Sequence, residues 1–274
     1  MKLSNKLLTG LSVGLFTLIL SGVIIVNAGG VDQAEYWKSM ENESKNFSSE
    51  SKYLKGAKLN TYNSIKLNSE HNRVINLHLI KDDTYGFKSN SETNEVEVSN
   101  DNEGLVLKFK TKSFHELHVY MYAPHFENVT ISNLNLNYLR TSEDSLKMNV
   151  INSSWGYYDL GNSNLKSLDL SFINSNIDYQ VNLGVVENLN LKLTNSAIKL
   201  KPSTLKALAV QAENSRFAIE EPNVSTTISS LSVITQGKST ISLPTKISID
   251  KIEGSLSDST FTNLPVFLLK NLIK

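Results

Sequence analysis

The chain has 274 residues, with 27 basic and 27 acidic side chains and five histidines, so its formal net charge is zero. That balance offers no electrostatic handle for nucleic acid or for an anionic membrane surface. With no cysteine, disulfides, thiolate metal sites, a thiol nucleophile and a lipidated cysteine are all excluded.

Lys2 and Lys6 precede a nearly uncharged run from Leu7 to Val26. That run is long enough to cross a bilayer as a helix. The positive residues lie before it and Asp32 and Glu35 after it, which puts the N-terminus in the cytoplasm and the rest outside. Residues 1–30 are thus expected to be a signal-anchor or transmembrane helix. It would cross the cytoplasmic membrane once through residues 7–26, with the domain on the extracytoplasmic (periplasmic) side. The alternative is secretion after signal cleavage near Ala28, since Val26-Asn27-Ala28 resembles a cleavage site. Residues 31–57 are polar and charged and read as a spacer, with a short helix possible around Gln33–Asn42.

Residues 58–125 alternate apolar and polar residues with a period of two. Strands are predicted at Ser64–Asn68, Val74–Ile80, Tyr85–Ser89, Glu95–Ser99, Leu105–Lys110 and Leu117–Ala123, separated by turn-prone clusters. Their spacing is irregular, so they are expected to lead into the domain before a repeat begins.

Residues 126–263 carry that repeat. The phrase LKMNVINSSW from Leu146 returns as LDLSFINSNI from Leu168, LNLKLTNSAI from Leu189 and LAVQAENSRF from Leu208. Counting worn copies, seven units start at Val129, Leu146, Leu168, Leu189, Leu208, Leu231 and Ile252. Offsets 0 and 2 are apolar in the first six units. Offset 9 holds Tyr138, Trp155, Ile177, Ile198, Phe217, Thr240 and Phe261. Between these two strands, offset 6 holds Asn135, Asn152, Asn174, Asn195 and Asn214, then Gly237 and Asp258. Asn, Gly and Asp tolerate left-handed backbone angles, so offset 6 reads as a corner, with a ladder of stacked asparagines running along it. Offset 7 is serine in five of seven units. Pro202, Pro222, Pro244 and Pro265 mark a second corner, because proline cannot donate to a ladder.

Strand, corner, strand in about twenty residues is the coil of a solenoid repeat. The predicted fold is all-β: a single-stranded parallel β-helix of about 20 residues per rung over 58–274. It comprises leading strands 58–125, rungs 126–263 and an apolar cap over 264–274. A β-propeller needs a period near forty.

LVLKFK, then HVYMYAPHFENVTISNLNL at His118–Leu136, then the recurring LxLxxxNSxI, resemble the auto-transporter adhesin head GIN domain family of exported Bacteroidetes-type proteins. The likeness covers roughly residues 60–265. It implies a β-helical fold and an exported location, and carries no catalytic site. The family's corner glycine pairs stand here as Asn-Ser.

Candidate chemistry is sparse. His71, His78, His115, His118 and His125 lack the spacing and the carboxylate support of a metal site and read as solvated. Asp82-Asp83 and Asp101-Asn102-Glu103 lack the pattern of a calcium loop and read as turns. A β-helix lyase or glycosidase would need acids aligned on adjacent rungs, whereas Asp159, Asp169, Asp178 and Glu187 fall at different offsets. No catalytic, metal or cofactor site is expected. The reading is a non-catalytic, exported, adhesin-like binding or scaffold domain with an envelope protein or a glycan as partner. The alternative is a β-helix carbohydrate-active enzyme.

Overall fold

The computed structural model describes residues 33–269 and 272, apart from 92–94, 102–103, 111–115, 156–157, 160–164, 183–185, 202–203 and 222–225. The expected anchor at residues 7–26, the cleavage position near Ala28, and Pro202 and Pro222 lie outside the described residues. No helix among those described is long and apolar enough to cross a membrane.

The chain divides into two units, Met1–Asn42 and Glu43–Lys274. What is described of the first is helix α1 (Gln33–Glu43), in which Tyr36 and Trp37 meet edge to face with centroids 5.3 Å apart. The second unit is all-β. Its strands are β1 (Lys55–Lys58), β2 (Ser64–Lys81), β3 (Gly86–Ser89), β4 (Val96–Asp101), β5 (Gly104–Phe109), β6 (Leu117–Ala123) and β7 (Asn128–Thr141). They continue as β8 (Ser145–Ile151), β9 (Ser154–Trp155), β10 (Tyr158–Asp159), β11 (Ser167–Ile173), β12 (Asn176–Asn182), β13 (Asn188–Thr194) and β14 (Ala197–Leu200). Last come β15 (Leu205–Glu213), β16 (Arg216–Ile219), β17 (Thr226–Gln236), β18 (Thr240–Ser242), β19 (Ile247–Ser255) and β20 (Phe261–Asn263), then a four-residue helix, α2 (Val266–Leu269).

Pairing follows the repeat. β7, β8, β11, β13, β15, β17 and β19 stack in parallel as one ladder. Its register sets Leu146, Leu168, Leu189, Leu208, Leu231 and Ile252 one on another. The second half of β7, then β9, β12, β14, β16, β18 and β20, form another parallel ladder. No rung can bury its apolar positions alone, so it is the stacking that creates the core. One continuous cluster results, from Tyr62 to Leu272.

The sheet is mixed, and its antiparallel part lies at the leading end. β5 and β6 pair in parallel with the two halves of β2, and β2 pairs along most of its length with β7. Beyond them β4 lies antiparallel on β5, β3 on β6, and β1 on β3. The residues expected to precede the repeat therefore include two more rungs. One is β2, which joins the separately predicted strands at Ser64–Asn68 and Val74–Ile80. The other is β5 with β6. Alternation alone read the two halves of β2 as separate strands: β2 turns within its own length, at Asn68-Ser69, where its register with β7 shifts between Asn68 and Arg73.

Three further expectations need correction. The first rung is displaced by two residues: Val129 pairs with Met148 rather than Leu146, so Leu136 rather than Tyr138 pairs with Trp155. In the sixth rung Ile241 pairs with Phe217 and is fully buried, where Thr240 was expected inward. An extra residue, Lys238, enlarges that corner. The polar spacer ends earlier than expected, because the chain from Glu43 is part of the β unit. The Lys88 ammonium, on β3, is held by the carbonyls of Glu43, Asn46 and Ser49 at 2.9, 3.2 and 2.8 Å. The Glu43 carboxylate in turn accepts the Tyr53 and Leu54 amides at 2.9 and 3.3 Å, and β1 carries strand pairing over part of the supposed spacer.

At the other end, Leu268 and Leu272 join the core, while Phe261 is 70 % and Val266 72 % exposed.

Candidate functional site

The corner is where the repeat concentrates its specific chemistry. Asn152, Asn174, Asn195 and Asn214 have φ of 48–49°. This is the left-handed region, which Asn enters because its short polar side chain can bond locally. Asn135, expected to share this column, sits within β7. Asn133 takes the left-handed turn instead, with φ 53°, as the two-residue displacement of that rung requires. Gly237, with φ 59°, turns the sixth corner.

Along the column the amides bond one another. Asn174 donates to Asn152 at 3.3 Å and Asn195 to Asn174 at 3.2 Å, both exposed. Asn133 extends the pattern forward to Asn68 at 3.2 Å. After Asn214 the column ends, since its Oδ1 accepts the Lys238 amide at 3.1 Å.

One residue further, the serines turn inward. Ser153, Ser175, Ser196, Ser215 and Ser239 are all buried. Each hydroxyl accepts the backbone N–H of the preceding rung. Leu134 donates to Ser153 at 3.2 Å, Ser153 to Ser175 at 3.2 Å, Ser175 to Ser196 at 3.0 Å, Ser196 to Ser215 at 3.0 Å and Ser215 to Ser239 at 3.3 Å. Each also donates to a carbonyl of its own rung, as Ser196 does to Thr194 at 2.8 Å. The corner would otherwise leave these buried amides unpaired at a cost of about 1–3 kcal/mol each. The recurrence of serine at offset 7 was visible in sequence, but its inward direction was not.

Outside the corner the rungs present two polar faces. On the first ladder, Lys147, Asn149, Asp169, Ser171, Asn190, Lys192 and Gln211 point outward over a depression of about 320 Å³. Asn190 is bonded there to Asp169 at 2.5 Å. On the second ladder a broader groove of about 720 Å³ runs beside the asparagine column. Its floor includes Ala197 and Ala218, and Lys199, Arg216 and Lys238 line it. Sequence reasoning passed over these residues. Most of them recur at the outward offsets 8 and 10 of the repeat, which is their signal in the sequence.

Among the candidate acids with described side chains, Glu187 pairs with Lys206, Glu220 with Lys199 and Glu221 with Lys246, while Asp169, on the first ladder, accepts from Asn190. Among the described residues no group of three or more His, Cys, Asp or Glu is placed to hold a metal ion. The Asp82 carboxylate closes a turn on the Thr84 amide at 2.7 Å and accepts Phe47 N–H at 2.9 Å, and Asp101 pairs with Lys66 at 2.7 Å.

Two histidines expected in solvent are not there. His118 is buried, bonded to Asn76 at 3.2 Å. His78 stacks on Tyr120, centroids 4.4 Å apart, with Tyr138 tilted against it. Burial, then the charges of His118 and Arg140, push the His78 pKa down to about 3. Burial also lowers that of His118. Alternation placed both on an outward face, but it could not foresee that their aromatic neighbours would cover them.

No protein-family model matches the chain, and no curated protein matches it. Among solved structures, the chain is similar to a candidate adhesin from Parabacteroides distasonis at 15% identity and a TM-score of 0.37, over 77% of this chain and 96% of that one. It is similar also to one from Parabacteroides merdae at 15% identity and a TM-score of 0.32, over 76% of this chain and 94% of that one.

Proposed function

We propose that this chain is a non-catalytic, adhesin-like binding module of the auto-transporter adhesin head GIN domain family, built as a single-stranded parallel β-helix. Residues 7–26 hold it on the outer side of the cytoplasmic membrane, or cleavage near Ala28 releases it. The observation that carries the binding reading is the in-register repetition of polar side chains on two outward faces. Rung after rung presents amides, hydroxyls and charges at a fixed spacing near 4.8 Å, a surface suited to a repetitive partner such as a glycan or an extended envelope protein.

Beads coated with the full chain should attach saturably to cells or to immobilised envelope polysaccharide. Attachment no better than that of beads coated with an unrelated β protein would overturn the binding reading. Fractionation with and without detergent, with N-terminal sequencing, separates anchor from released form.

A further inference from the structure

We propose that the groove beside the asparagine column binds an extended acidic polysaccharide, laid along the stack of rungs. This rests on the binding-module reading and names its ligand.

The first support is charge. The protein as a whole is neutral, yet three cations, Lys199, Arg216 and Lys238, line this groove with no carboxylate among its described residues. Lys199 is tied to Glu220 at 2.5 Å. Arg216 and Lys238 are exposed, and neither is ion-paired to a described residue. A concave surface lined by one sign of charge concentrates counter-charged ligands.

The second is hydrogen-bonding capacity. A primary amide has two donors and an acceptor oxygen with two lone pairs. Within the column, Asn174 uses one donor on Asn152 and one lone pair on Asn195. One donor and one acceptor remain at that rung, and the amides of Asn195 and Asn214 stand exposed beside it. Sugar hydroxyls, each both donor and acceptor, match such sites repeated about every 4.8 Å. The third is access: Ala197 and Ala218 make a low floor, so a chain can approach the backbone closely.

The same groove disfavours other polymers. The backbone groups of β12, β14, β16 and β18 beneath it are committed to rung-to-rung pairing, so an acidic peptide finds no edge to extend. No aromatic side chain is among its described lining residues, and these supply no stacking platform of the kind single-stranded nucleic acid uses.

The test is calorimetric titration of the full chain with oligogalacturonate, and separately with poly-glutamate and with a neutral xylo-oligosaccharide. Oligogalacturonate is expected to bind at least tenfold more tightly than either. R216E/K238E, and A218W, which fills the floor, are each expected to weaken it at least tenfold with the melting temperature preserved. K251E, on the first ladder, is expected to leave binding unchanged. Equal affinity for poly-glutamate reduces the site to a charge patch and overturns the proposal. So does binding that neither groove variant affects, or no binding of oligogalacturonate. In that last case, beads that still attach saturably to cells would leave the binding-module reading standing and remove only its acidic glycan.

Discussion

Substitution of Asn195 separates two explanations of the corner column. With φ of 49°, position 195 imposes a left-handed conformation that costs an ordinary residue about 1–2 kcal/mol. Its amide donates to Asn174 at 3.2 Å in an exposed setting, where a neutral hydrogen bond contributes at the low end of roughly 0.5–1.5 kcal/mol. If the backbone angle dominates, Asn195→Gly should lie within about 0.5–1 kcal/mol of the native protein. It removes the Cβ penalty and adds only unfolded-state entropy. Asn195→Ala should lose about 1–2 kcal/mol, lowering the melting temperature by roughly 2–8 °C for a domain of this size. Urea unfolding followed by far-UV circular dichroism measures both. The occurrence of Gly237 at φ 59° on the sixth rung already points to the backbone. Equal losses in the two variants would refute this argument and make the amide bonds themselves the stabilising element.

Ser196→Ala strands the Ser175 amide beneath the corner and should cost about 1–3 kcal/mol, whereas Ser154→Ala at the exposed neighbouring position of another rung should fall within about 0.5 kcal/mol; chemical denaturation distinguishes them. Lys88→Met removes a cation bonded to three carbonyls, where hydrogen bonds to charged groups contribute about 1.5–3 kcal/mol each; limited proteolysis should cut residues 43–54 faster while the later rungs stay protected. His78 is held neutral by burial, with a pKa near 3 when folded against about 6.5 unfolded. The unfolded chain therefore takes up the proton first, and stability falls as pH drops from about 6.5 toward 3. His78→Phe, which keeps the stack on Tyr120, should flatten the decline in melting temperature between pH 7 and 5, and an unchanged slope would count against the assignment.

Legibility in the sequence tracked how local the cause was. The rungs from Leu146 to Ile252 could be read because each contact repeats at a chain separation of about twenty, and the first four corners each carry an Asn-Ser. The rung formed by β2 could not, although its turn begins with Asn68-Ser69, since its partners β5, β6 and β7 lie at varied distances along the chain. The Lys238 insertion moved the inward positions of one rung by a single residue, which period-two alternation turns into a change of face. The tether from Lys88 to the chain at Glu43–Ser49 was invisible, because it spends a charged side chain on backbone carbonyls that leave no trace in residue type. The outward groove was hidden for a simpler reason: polar residues at outward offsets look the same whether they serve solubility or recognition.

The order of strands at the leading end bears on how a nascent chain reaches this structure. β2 lies between the rung formed by β5 and β6 and the rung begun by β7, so it is complete on both sides only after the ribosome has passed Thr141. Until then its two long edges are unpaired, and unpaired strands are the sites where chains associate wrongly. From β8 onward each new rung finds its template already in place. Synthesis of the N-terminal half is thus the stage at which a chaperone has most to shield. Truncations from the C-terminus should shed rungs one at a time, whereas loss of β2 removes the template on which the rest is laid.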